Sequence, residues 1–176
     1  MPEFREDWYV YPTMVKLAGC LQDEIVASGL PQPCFIGVVE GDSAALDCDS
    51  CGGGACGAAW VRLSSAFPSQ SFPIQDSVAT CATRLAFVLE VGITRCFSPF
   101  ADEYGRQPSI EDHMNATRLQ MADMSAMRRA IACCLGEEEY EDIDYILGQY
   151  TPVPFMGGCG GGTWELTIAQ RDRPNG

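Results

Sequence analysis

The sequence predicts an α+β domain: a mixed, mainly antiparallel sheet of about five strands, two helices packed on one of its faces, and a terminal β-hairpin. Three observations lead there. Apolar residues recur at intervals of three and four in Thr13–Ser28 and Ser109–Leu135, the period of a helix face. They alternate at every second position in Ala58–Phe67 and Leu85–Thr94, the period of a strand with two different sides. Clusters of glycine and proline separate these segments and mark turns between them.

In the first helical segment Met14, Leu17, Leu21 and Ile25 share a face, Thr13 is placed to cap the start, and Gly29 to end it. Pro31 and Pro33 forbid continuation, and the apolar run Cys34–Val39 suits a short strand. Gly41–Gly57 holds three aspartates, three cysteines and the run Gly52, Gly53, Gly54, a composition that favours a loop. In Ala58–Phe67, Ala59, Val61 and Leu63 alternate with Trp60, Arg62 and Ser64. Pro68 and Pro73 make the next stretch irregular, and Gln75–Thr83 has no assigned conformation. Phe87, Leu89, Val91 and Ile93 then alternate with Ala86, Val88, Glu90, Gly92 and Thr94, a pattern long enough to predict a central strand.

Ser109 and Asp112 have the spacing of a capping box, in which side chains satisfy the free amides at a helix start. The helix is predicted to run to Cys134 or Leu135, roughly 39 Å at 1.5 Å per residue, with Gly136 stopping it. Its expected buried stripe is Ile110, Met114, Thr117, Met121, Met124, Ile131 and Leu135. Tyr145–Met156 and Thr163–Gln170 are predicted to pair as a hairpin with Gly157 through Gly162 as its tip. Pro152 and Pro154 cannot donate ladder hydrogen bonds, which puts the first of these strands at an edge. The expected organisation is an N-terminal arm, residues 1–12, a single domain, 13–170, and a C-terminal tail, 171–176.

Composition narrows the function. The chain has 176 residues, 47% of them apolar and 20% charged, enough apolar material for a core without staples. Asp and Glu number 24 against 11 Lys and Arg, giving a formal net charge of -13. Phosphates would be repelled rather than neutralised, so nucleic-acid recognition is disfavoured. Met1–Pro12 lacks the basic start and apolar run of a secretion signal, so export is not expected. No apolar stretch approaches the roughly 20 residues that span a bilayer, and Leu85–Ile93 is interrupted by Glu90.

Ten cysteines invite chemistry. Cys48, Cys51 and Cys56 form C-x2-C-x4-C, and zinc would need a fourth ligand from Cys34, Cys81, Cys159 or the single His113. Disulfides and free buried thiols are the alternatives, with late disulfide formation open to a particle that leaves a reducing cytosol. Adjacent on a helix, Cys133 and Cys134 face different directions, and Cys134 is expected simply to pack. The glycine runs end in Ala55-Cys56 and Thr163-Trp164, without the Gly-Lys-Ser/Thr of a phosphate loop. A cysteine nucleophile needs a base, and His113 falls in the polar first turn of the long helix, exposed and idle. Glu137, Glu138, Glu139, Glu141, Asp142 and Asp144 could hold a divalent cation but more often such a run is solvated. The methionine stripe reads as core before partner surface. Trp60 and Trp164 leave room for helices on one side of the sheet and a neighbouring subunit on the other.

The blocks Ala59-Trp60-Val61-Arg62-Leu63, Leu89-Glu90-Val91-Gly92-Ile93, Met121-Ala122-Asp123-Met124 through Met127-Arg128-Arg129-Ala130-Ile131, and Trp164-Glu165-Leu166-Thr167 resemble segments of tail terminator or connector proteins of siphovirus-type phages infecting actinobacteria, where scattered cysteines also occur. The resemblance covers about Thr13 to Ala169 and rests on fold-type strings rather than catalytic signatures. It implies a structural virion protein, not an enzyme, with no catalytic residues, metal ligands or cofactors. It further implies a hexameric ring at the tail–neck junction, assembled in the host cytoplasm, that caps the tail tube, ends its polymerisation and joins the neck or head–tail connector. DNA would pass through the ring without sequence-specific binding, and an acidic wall would keep it from sticking. No membrane is implied. Gly41–Gly57 departs from the minimal family pattern. The alternatives are another neck or head completion protein and, from a different class, a small zinc- or thiol-dependent protein.

Overall fold

A computed structural model describes residues 9–41, 56–80, 83–96, 107–136, 143–156 and 159–170; for 154–156 and 170 it describes the backbone alone. Seven elements follow in order: α1 (Val10–Ala27), β1 (Phe35–Val39), β2 (Ala58–Pro68), β3 (Leu85–Cys96), α2 (Ile110–Leu135), β4 (Ile143–Met156) and β5 (Cys159–Gln170). The strands form one sheet in the order β1-β2-β3-β5-β4. β1 runs parallel to β2 and every other pair is antiparallel, so the predicted mixed sheet, two helices and terminal hairpin are all present. β3, with the longest alternating pattern, is the middle strand, and the proline-bearing β4 is an edge.

The period-two alternation assigns side chains to the two faces of the sheet. Val61 lies opposite Val91, and Val91 opposite Trp164; Leu89 lies opposite Leu166. These residues meet Leu17, Leu21 and Ile25 of α1 and Met127, Ala130 and Ile131 of α2 in one core. Trp60, opposite Gly92, and Glu90, opposite Glu165, point to the other side, which no helix among the described residues covers. Trp164 therefore faces the helices, where its Nε1 donates to the Met124 carbonyl at 3.0 Å, while Trp60 belongs to the helix-free face.

α1 starts earlier than predicted. Its N-cap is Tyr9, without a side-chain capping bond, and Thr13 lies inside the helix with its hydroxyl donating to the Tyr9 carbonyl at 2.7 Å. Pro12 is tolerated because the first-turn amides have no helical acceptor to lose. The division at residue 12 thus cuts through a helix. At the other end Gly29 and Leu30 donate to the carbonyls of Val26 and Ile25, a closed C-terminal motif that satisfies the last carbonyls.

α2 carries the predicted capping box: Asp112 N–H donates to Ser109 Oγ at 3.1 Å, and Ser109 N–H to Asp112 Oδ2 at 2.8 Å. Its end at Leu135 and the stop at Gly136 also agree. The buried stripe does not. Asp123, Ala126, Met127, Ala130, Ile131, Cys134 and Leu135 are buried, whereas Ile110, Met114 and Met121 are exposed, at 81%, 60% and 42%. Only Ile131 and Leu135 of the expected stripe face the core. Along Ile110–Gln120 every side chain is exposed or half-buried, and Ile110 and Met114 point outward with nothing among the described residues to cover them.

The hairpin tip also differs. Cys159 through Gly162 belong to β5, paired with Cys96 through Ile93, while Gly157 and Gly158 lie outside the described residues. Close approach explains glycine inside this strand: a Cβ on Gly161 would lie 2.0 Å from the Ile93 carbonyl oxygen.

Candidate functional site

The cysteines are partly resolved into cross-links. Cys20 of α1 is bonded to Cys134 of α2, with Cα atoms 6.0 Å apart, and Cys56 before β2 to Cys96 at the end of β3, at 5.8 Å. Cys34 and Cys159 are disulfide-bonded as well. Cys134 therefore does more than pack, and its neighbour Cys133 is an exposed free thiol. Cys56, one of the three cysteines weighed as zinc ligands, is taken up by a disulfide; Cys48, Cys51 and Cys81 lie outside the described residues, as do Glu137 to Asp142 of the acidic run. Asp144, its last member, is paired with Arg84 at 2.7 Å. Among the described residues no three His, Cys, Asp or Glu side chains are grouped to hold a metal ion. His113 is exposed on the first turn of α2.

A cavity of about 290 Å³ opens between the first half of α2 and the adjoining ends of β3 and β5, lined by Arg95, Cys96, Leu119, Gln120, Asp123 and Gly161 among others. Arg95 and Asp123 saturate one another there. Arg95 donates Nε and Nη2 to the two oxygens of Asp123, at 3.0 and 2.7 Å, and Nη1 to the Pro31 carbonyl. Both side chains are nearly inaccessible to solvent. A paired fork of this kind fixes geometry. It ties β3, α2 and the turn after α1 together, and Gln120 adds a hydrogen bond from α2 to the Gly161 carbonyl. Nearby, burial pushes the Tyr150 phenol above its ordinary value.

On the helix-free face a second hollow, about 270 Å³, is lined by Ser64, Glu90, Gln149, Thr151, Thr163 and Glu165. Arg62 and Glu90 form a bidentate pair at 2.8 and 2.9 Å, and Trp60 Nε1 donates to the same carboxylate at 3.2 Å. Arg62 also reaches the Gly41 carbonyl at 3.1 Å. The indole lies flat over Gly92, where a Cβ would come within 2.4 Å of the ring. Glu165, directly opposite Glu90 on the next strand, is exposed and has no hydrogen-bond or ion-pair partner among the described residues. Two carboxylates thus stand side by side, and the Arg62 guanidinium, on the far side of Glu90 from Glu165, engages Glu90.

No protein-family model matches the chain, and no curated protein does.

Sequence reasoning missed both charged pairs. Arg95 and Asp123 are 28 residues apart, as are Arg62 and Glu90, and only the register brings each pair together. One signal was present. Asp123 sits three and four residues before Ala126 and Met127, on the side of α2 that is buried, and a lone carboxylate on such a face demands a cation.

Proposed function

We propose that the chain is a phage tail terminator: a virion structural protein that closes into a hexameric ring at the end of the tail tube, ends the tube's polymerisation and joins the tail to the neck. The observation that carries this reading is the one-sided sheet. Two helices cover one face of five strands, while the opposite face and the edges at β1 and β4 carry no further layer among the described elements. On that face Trp60 and Thr94 are buried, whereas Glu165 and Ile146 are exposed; this exposed part and the open edges are surfaces that sheet proteins close by association or guard against it. The mixed sheet with two helices is also the architecture that the resemblance to terminators implies. The joint works by shape: neighbours contact one another through two different surfaces, the contacts close after a full turn, and the ring's two rims meet different partners. No bond is made or broken. The net charge of -13 suits a conduit through which DNA slides.

Electron microscopy of the assembled particle tests the proposal by the location and rotational symmetry of this chain. Sixfold symmetry at the head-proximal end of the tube is expected. Twelvefold symmetry next to the portal would replace the terminator with a neck connector, and turnover of a substrate by the purified protein would remove the structural reading altogether.

A further inference from the structure

We infer that the outward stripe of α2 docks on the helix-free sheet face of a second copy of this chain, seating Arg118 or Arg128 against Glu165. The inference rests on the ring proposed above and assigns its contact surfaces. At 100° per residue, Ile110, Met114, Met121, Ser125 and Arg128 lie on the side of α2 opposite the buried stripe, with Arg118 alongside. Ile110, Met114 and Met121 are exposed, as are both arginines. The charge of this stripe is opposite to that of the molecule. Among the described residues, Arg62, Arg84, Arg95 and Arg129 are each held by a carboxylate, whereas Arg118 and Arg128 are engaged by none.

The helix-free face supplies the complement. Glu165 stands there unpaired among the described residues, and the hollow around it is lined by Ser64, Thr151 and Thr163. Ile146, opposite Thr167 on that face and 43% exposed, offers apolar area to a methionine or isoleucine. Methionine suits such a contact because its flexible thioether fills irregular gaps. The two surfaces lie on opposite sides of one molecule and differ from each other. Such a contact is heterologous, so it excludes a two-fold dimer and, where its rotation closes, produces a ring.

The test uses the full chain and reads self-association by native mass spectrometry and sedimentation over a concentration series. Reversing both arginines, Arg118→Glu with Arg128→Glu, should weaken association about tenfold or more, and Glu165→Arg should do the same. The three changes together restore opposite charges across the contact and should recover most of the lost association. All three substitutions fall on solvent-exposed positions, and circular dichroism confirms that each variant folds. Variants that associate like the wild type overturn the inference, and so does a wild-type chain that stays monomeric at every concentration. Variants that self-associate normally but no longer join tail tubes would assign the stripe to another protein and also overturn it. The ring itself is judged separately, by symmetry in the particle.

Discussion

Asp123 and Arg95 show what a single residue decides in this molecule. Their paired charges are almost wholly removed from water, and each is satisfied by the other. Replacing Asp123 by Asn leaves a buried guanidinium without its counter-charge, and unfolding in urea should show a loss of about 3–5 kcal/mol. Replacing both residues by apolar ones of similar size should cost far less, because no orphan charge remains. Glu24 gives the opposite case, a pair at the surface. The Arg129 guanidinium donates to its Oε1 at 2.6 Å and holds the carboxyl below its ordinary value. The folded value lies below the unfolded one, so the stabilisation is present above about pH 4 and disappears as pH falls through the folded value. Glu24→Gln should therefore destabilise by less than about 1 kcal/mol at neutral pH, and the difference from wild type should close on acidification. Unfolding curves at neutral and acidic pH measure both limbs.

At the scale of elements, local chemistry was legible and neighbourhood was not. The Ser109–Asp112 box needs only four consecutive residues, and it forms as read. Ser109→Ala should cost about 1 kcal/mol in urea or thermal unfolding. The alternation of β3 placed that strand centrally because a period of two over so many residues has one outcome. For α2 the periodicity was ambiguous: Met114 and Met121 look like core residues in sequence, while Ala126 and Ala130 look neutral. Burial went to the alanines, whose small side chains let α2 approach its neighbours, and the methionines were left outside. The glycines of β5 misled for a related reason. In sequence they signal a loose tip, yet here they let a strand lie against the β3 backbone. The Cys20–Cys134 cross-link could not be read from spacing, since its ends are 114 residues apart. Because it closes so long a loop between the two helices, replacing both cysteines by alanine should cost on the order of 2–5 kcal/mol. Comparison of Tm values for wild type and the double variant checks it.

For the whole molecule, two layers place an apolar and basic helix surface on one side and a threonine-rich, acidic sheet surface on the other. The layer order was legible because helix and strand periods are local; the partners of the outer surfaces were not, since exposed residues obey no internal packing rule. The candidate surface emerged only after the register set Glu165 beside Glu90 and left Arg118 and Arg128 unengaged. Imaging of intact particles, with this chain located by a bound tag, measures its copy number around the tail axis. Six copies forming one closed ring between tube and neck is the outcome that follows from the account. A single copy, or a chain absent from the particle, would contradict it.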